Sequence, residues 1–211
     1  MVRGADGVTR RPRDAAAARP YGRAVDGPEL LLIRHAESVW NAERRWQGQE
    51  DPPLSAQGRV QAGALARALT GVAIARIVTS DLERARATAE ALGHVHGLRA
   101  TTDPRLRELD VGRWGGRTRE EIARCDPELL ARFDRGDRQL RAGGGESRHA
   151  LRERARAALR DLIAESPTGC IAVVTHLGWL REIVPGADFD YAEWRALSWQ
   201  ALLGDETASP R

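Results

Sequence analysis

Glu29-Leu-Leu-Leu-Ile-Arg34 is a short apolar run followed at once by His35, and Cys170-Ile-Ala-Val-Val-Thr175, far downstream, is a second such run followed by His176. Apolar residues in sequence without alternation read as a strand covered on both faces, the pattern of a parallel sheet. Two such strands each deliver a histidine at the carboxyl end, where open α/β sheets place their chemistry.

Working outward, Leu54-Ser55 opens a helix ending near Thr70-Gly71, with Val60, Ala64, Leu65 and Ala68 expected on one face. Ala73 to Thr79 reads as the next strand. Asp81 is expected to cap a helix from Leu82 to about His94, and Leu98 to Thr102 reads as a third, shorter strand. Arg105 to Ser147 is the least regular part, with short helices near Arg119 to Arg124 and Pro127 to Phe133. Leu151, Ala155, Ala158, Leu159 and Leu162 then mark a long amphipathic helix. This alternation predicts an α/β fold: a single-domain three-layer α/β/α sandwich around a mostly parallel sheet, with catalytic residues at the carboxyl ends of the strands. From Ala187 on, Trp194 and Trp199 fit edge-strand or packing positions. Residues 29–204 are expected to form the domain, 1–28 an Arg-rich disordered leader and 205–211 a frayed tail.

The chain has 211 residues, 42% of them hydrophobic and 30% charged, the balance of a globular chain, and no apolar run approaches the ~18 residues of a membrane span. All 33 basic residues are arginine, which excludes a lysine Schiff base and a P-loop lysine. The net charge of +3 lies entirely before residue 29, where six arginines face three aspartates; the remainder balances 27 arginines against 27 acids. The charge therefore gives no reason to expect nucleic acid as a partner of the body. Two cysteines, Cys125 and Cys170, make no disulfide framework, so a cytoplasmic location is expected.

The motifs run in a fixed order: Arg34-His-Ala-Glu-Ser-Val-Trp-Asn41, Arg45-Trp-Gln-Gly48, Pro53-Leu-Ser-Ala-Gln-Gly58, Ser80-Asp-Leu-Glu-Arg-Ala-Arg86, Leu106-Arg-Glu-Leu-Asp-Val-Gly-Arg-Trp-Gly115, Gly144-Gly-Glu-Ser147 and Val174-Thr-His-Leu-Gly-Trp-Leu-Arg181. This series, from about Leu30 to about Val184, resembles the histidine phosphatase superfamily, also called the phosphoglycerate-mutase-like family. The chemistry also follows from the residues. A phosphomonoester is dianionic, its transfer needs donors around the equatorial oxygens and a nucleophile in line, and arginine forks fit phosphate oxygens. Arg34 and Arg84 near His35 would disfavour its cation and leave a neutral nitrogen free to attack phosphorus. His35 is the candidate nucleophile. Glu108 is the candidate general acid for the leaving oxygen and then the base for water, rather than an ion-pair partner of Arg105 or Arg107, because Arg107-Glu-Leu-Asp-Val-Gly-Arg-Trp114 resembles the acid-bearing segment of the family.

The resemblance implies a phosphohistidine on His35, with Arg34, Arg84 and His176 holding the phosphoryl group. It implies a further polar contact from Asn41, and a substrate entrance at Gln47, Gly48 and Arg86. Arg86 lies two positions beyond Arg84 and points elsewhere on a regular helix, so a solvated surface position is its alternative. Ala36 and Leu177 replace the glycines most often found after the two histidines, and Leu177 puts bulk beside the phosphate.

The expected activity is hydrolysis of a small phosphomonoester, without metal or other cofactor. The expected partner is a small phosphorylated metabolite, with no nucleic acid and no membrane, and a homodimer left open. A phosphoglycerate mutase is the nearest alternative and a non-catalytic phospho-ligand-binding module the next. Only 68 positions separate Glu108 from His176, whereas the mutases of the family carry a longer insertion there, which favours hydrolysis. The remaining features read as bland: His94-Val-His96 as a solvated helix end, Trp114 and Trp179 as core or loop anchors, and Gly143-Gly-Gly145 as no phosphate loop, since no lysine follows it. Trp40 and Trp46 are expected at the border of the pocket.

Overall fold

The computed structural model describes residues 29–165, 169–184, 186–199 and 202. The leader expected over 1–28 and the tail expected over 205–211 lie outside them. Strand β1 (Glu29–Arg34) is followed by helices α1 (Val39–Ala42) and α2 (Ala56–Ala68), strand β2 (Ile74–Thr79), helix α3 (Glu83–His96) and strand β3 (Thr101–Thr102). Then come α4 (Arg119–Cys125), α5 (Pro127–Asp134), α6 (Arg148–Glu165), β4 (Cys170–Thr175), α7 (Leu177–Ile183) and β5 (Trp194–Ser198). The five strands form one sheet in the order β3-β2-β4-β1-β5, parallel except for β5, which runs antiparallel along β1.

The continuous apolar runs are central strands, and their period of two divides the core. Leu30, Leu32, Ile171 and Val173 face a cluster with Leu151, Ala155, Ala158, Leu159 and Leu162 of α6 and Trp179 and Leu180 of α7. Leu31, Ile33, Ala172 and Val174 face the other way, onto Leu65, Ala85, Ala89 and Leu92 of α2 and α3. This is the expected α/β sandwich. Among the described residues no helix is long and apolar enough to cross a membrane.

Four local expectations change. Helix α2 is capped by Ser55, whose side chain accepts the Gly58 N–H, but it buries Gly58, Ala62, Leu65 and Ala66. Val60 is 60% exposed, and Ala64 and Ala68 also face outward. Alanine carries too little apolar signal to mark a face; the deciding feature is Gly58, where a Cβ would stand 1.9 Å from the Glu37 carbonyl oxygen. Asp81 does not cap α3, because its carboxylate is forked by Arg107, with Nε at 2.7 Å and Nη2 at 2.5 Å. The N–H of Glu83, the first residue of the helix, donates instead to Asp51 Oδ1 at 2.5 Å. Strand β3 keeps only Thr101–Thr102, since the Leu98 N–H turns back to the Gly93 carbonyl to close α3. Trp46 does not read as a pocket border: it packs edge-on against Trp114 and Phe133, at 5.4 and 5.2 Å between centroids.

Candidate active site

Register builds the site. β1 and β4 lie side by side with Arg34 opposite Thr175, and the His35 N–H donates to the Thr175 carbonyl at 2.9 Å. The residues after the two strands are therefore neighbours: the rings of His35 and His176 are 4.9 Å apart and tilted by 57°. Both are buried. On the other side of β4, Ser80, just after β2, donates its N–H to the Val174 carbonyl, which sets the start of α3 at the same edge of the sheet.

His35 Nδ1 lies 2.7 Å from the Ala36 carbonyl oxygen. A carbonyl can only accept, so Nδ1 carries the proton and Nε2 keeps its lone pair. Burial holds the pKa of His35 well below its ordinary value, and the charges of Arg84 and Arg34 add to this. His176 is held low in the same way, first by burial and next by Arg84. The expected influence of the two arginines on His35 is thus present, with burial the larger cause.

Arg84 is fully buried on α3, donating Nη1 to the Glu50 carbonyl at 2.7 Å and Nη2 to the Gly48 carbonyl at 2.8 Å. Its burial pulls the pKa down to about 10, so it remains a cation at neutral pH. Arg34 donates Nη1 to the Phe189 carbonyl at 2.7 Å, and its guanidinium lies 4.0 Å from the centre of the Tyr191 ring. Buried polar atoms are as a rule hydrogen-bonded. Here Arg34 Nε, Arg84 Nε and both ring nitrogens of His176 are buried without a protein partner; the two guanidinium N–H groups and the single N–H of a neutral His176 are donors suited to an oxyanion.

Glu108 arrives from the segment after the 3₁₀ turn Pro104–Leu106. Its Oε1 accepts the Leu109 N–H at 2.8 Å and its Oε2 the Gly178 N–H at 3.0 Å, in the first turn of α7. No ion pair joins it to Arg105 or Arg107, which bind Asp103, Asp161 and Asp81. Gly178 permits this approach, since a Cβ there would stand 2.2 Å from Glu108 Oε1.

The other expected residues fall into two groups. Asn41 and Gln47 meet at Ser38: Asn41 Oδ1 accepts the Ser38 N–H at 3.1 Å in the capping box of α1, and Ser38 Oγ lies 2.7 Å from Gln47 Oε1. Gly48, in the left-handed region at φ 53°, presents its carbonyl to Arg84. Arg86 is not brought to this group; it is exposed and ion-paired with Glu83 one turn back. Leu177 packs against the larger apolar cluster, which takes up its bulk.

Four contributors escape a reading of the sequence. Thr88 Oγ1 accepts the Ala36 N–H at 3.0 Å and donates to the Arg84 carbonyl at 2.7 Å, tying the loop of His35 to the helix of Arg84. Phe189 and Tyr191 hold Arg34 from a stretch without a secondary-structure signal. Arg154, on α6, holds the backbone of Glu108; its visible signal is an arginine three positions after Leu151 and four before Ala158, on an apolar face.

Residues 30–202 match the model of the histidine phosphatase superfamily (branch 1). A Yersinia enterocolitica protein named probable phosphoglycerate mutase GpmB is 40% identical over 202 residues, 85% of this chain and 94% of its own. Among solved structures, a mycobacterial glucosyl-3-phosphoglycerate phosphatase complexed with VO3 is 34% identical, with a TM-score of 0.74 over 81% of this chain and 92% of that one. A putative alpha-ribazole-5'-P phosphatase from Escherichia coli is 27% identical, with a TM-score of 0.73 over 81% and 89%. With a family match over most of its length and relatives above 30% identity, this chain belongs to the histidine phosphatase superfamily.

Proposed function

We propose that this protein is a phosphatase that releases inorganic phosphate from a small phosphorylated metabolite through a phosphohistidine on His35. The observation that carries the reading is the 2.7 Å contact of His35 Nδ1 with the Ala36 carbonyl oxygen, which assigns the ring proton to Nδ1 and leaves the lone pair on Nε2, in a ring beside His176 that feels the charges of Arg84 and Arg34. In the first step Nε2 bonds to phosphorus as the P–O ester bond breaks, and the Glu108 carboxyl gives its proton to the leaving alkoxide. In the second, the Glu108 carboxylate takes a proton from water, the oxygen bonds to phosphorus, the P–N bond breaks and phosphate leaves. Arg34 and Arg84 offset the charge on the equatorial oxygens, and neutral His176 donates one N–H.

Transfer to a second hydroxyl, as in a mutase, is the other reading, and the name of the Yersinia relative favours it. The short span from Glu108 to His176 and the phosphatase likeness favour water as the acceptor. The deciding experiment screens phosphorylated metabolites for phosphate release alongside 3-phosphoglycerate isomerisation. Phosphate release without isomerisation supports the phosphatase, and isomerisation faster than release replaces it with the mutase.

A further inference from the structure

Arg154 lies on the face of α6 that carries Leu151, Ala155 and Ala158, and its side chain is only 20% exposed. Its guanidinium meets Glu146 in a fork, Nε to Oε1 at 2.8 Å and Nη2 to Oε2 at 2.8 Å. The other donors converge on one stretch of backbone: Nη1 on the carbonyls of Arg105 at 2.8 Å and Arg107 at 2.7 Å, and Nη2 on the carbonyl of Glu108 at 2.8 Å. Glu146 holds the same stretch from beyond, donating its N–H to the Asp110 carbonyl at 2.8 Å. The glycine triplet makes this approach feasible: a Cβ on Gly145 would stand 2.4 Å from the Asp110 carbonyl oxygen, and one on Gly143 2.1 Å from that of Val111.

We propose that Arg154, braced by Glu146, is the positioning residue of the general acid: by fixing the carbonyls of Arg105, Arg107 and Glu108 it keeps the Glu108 carboxyl at the leaving-group oxygen. The inference rests on the phosphatase reading above. The carboxyl itself is held by two N–H groups, those of Leu109 and Gly178, and the backbone that bears it lies outside any strand or long helix. A planar guanidinium supplies several donors in fixed directions, which a lysine ammonium on a flexible stem does not. A displacement of about 1 Å in such a group costs on the order of 10²-fold in rate. Proton donation matters most for a poor leaving group such as an alkoxide and little for nitrophenolate, so a misplaced acid leaves a specific signature.

The test compares kcat/KM on glycerol phosphate and on 4-nitrophenyl phosphate in Arg154→Lys, which keeps the charge opposite Glu146. Turnover of glycerol phosphate should fall about 30-fold and that of 4-nitrophenyl phosphate less than about threefold. In the Glu108→Gln background the same substitution should no longer alter the ratio, because its effect runs through the missing carboxyl. If Arg154→Lys fails to fold, Glu146→Gln, which keeps the carbonyl contacts, should show a smaller loss with the same selectivity. No loss, an equal loss on both substrates, or a selective loss that persists without Glu108 overturns the positioning role. Failure of the underlying reading looks different: Glu108→Gln would then itself show no leaving-group selectivity.

Discussion

His35 and His176 stand 4.9 Å apart between ring centroids, and burial, with the guanidinium of Arg84 next, depresses the pKa of both. A proton on either ring would place a further cation beside Arg34 and Arg84 at a buried site. Both imidazoles are therefore neutral at pH 7, the state in which one can attack phosphorus and the other can donate a single N–H.

Stability should carry the mark of these two rings. An unfolded chain takes up their protons near pH 6.5, whereas the folded chain resists them to much lower pH. The sign follows: their contribution is fully present above about pH 6.5 and is lost as pH falls toward the depressed folded values, by at most about 1.4 kcal/mol per pH unit for each ring. Urea unfolding between pH 7.5 and 5, taken as approximate limits, measures this. His176→Asn should flatten the slope, and an unchanged slope would refute the assignment.

Replacing His35 by Ala removes the only nitrogen proposed to bond phosphorus. Turnover should fall by about 10⁴-fold or more, and the acid-labile, base-stable phosphoenzyme trapped after brief exposure to labelled substrate should vanish. A label that persists in the variant places the nucleophile elsewhere.

Gly178→Ala separates activity from stability. On a helix, alanine in place of glycine favours folding by up to about 1 kcal/mol, but here its Cβ would stand 2.2 Å from Glu108 Oε1 and displace the carboxylate. The expected outcome is a fall of roughly 10- to 100-fold on alkyl phosphates with the melting temperature maintained. An active variant would show that Glu108 can act from another position.

Thr88→Val keeps the shape of a buried side chain and removes the hydroxyl shared by Ala36 and Arg84. The buried Ala36 N–H loses its acceptor, which costs about 1–3 kcal/mol of stability. Denaturant titration reads that loss, and kcat on any active substrate should drop with it, because the separation of His35 from Arg84 is no longer fixed. Wild-type values for both would remove Thr88 from the account.

The strands around the site are legible because four consecutive fully buried residues, Leu30 to Ile33, and the run from Cys170 to Thr175 leave no polar face to misplace. What the runs do not contain is their adjacency: that β4 pairs with β1 in the register placing His176 beside His35 is a long-range fact. Helix α2 misleads because its alanines are nearly neutral and its true contact is a glycine against the Glu37 backbone. Strand β5 is legible only as one of two readings of Trp194, edge strand or packing position, because Trp194–Ser198 lacks an apolar run that would set its bounds. Asp81 looks like a helix cap locally, but an arginine 26 residues away outcompetes the backbone. Arg154 is visible only to a reader who asks why a cation interrupts an apolar face.

Each of three arginines around the site holds backbone, and in the proposed function Arg34 and Arg84 also face the phosphoryl group. Arg34 grips the Phe189 carbonyl, Arg84 those of Gly48 and Glu50, and Arg154 three carbonyls leading to Glu108. A guanidinium has enough donors to hold a loop and still face an anion, which a lysine with three donors on one nitrogen cannot match. In a chain with 33 basic residues and no lysine, shape and charge at this site are consequently a single trait. Changing any of these arginines moves a wall as well as a charge, and the part of the site that can vary alone is the part built without them.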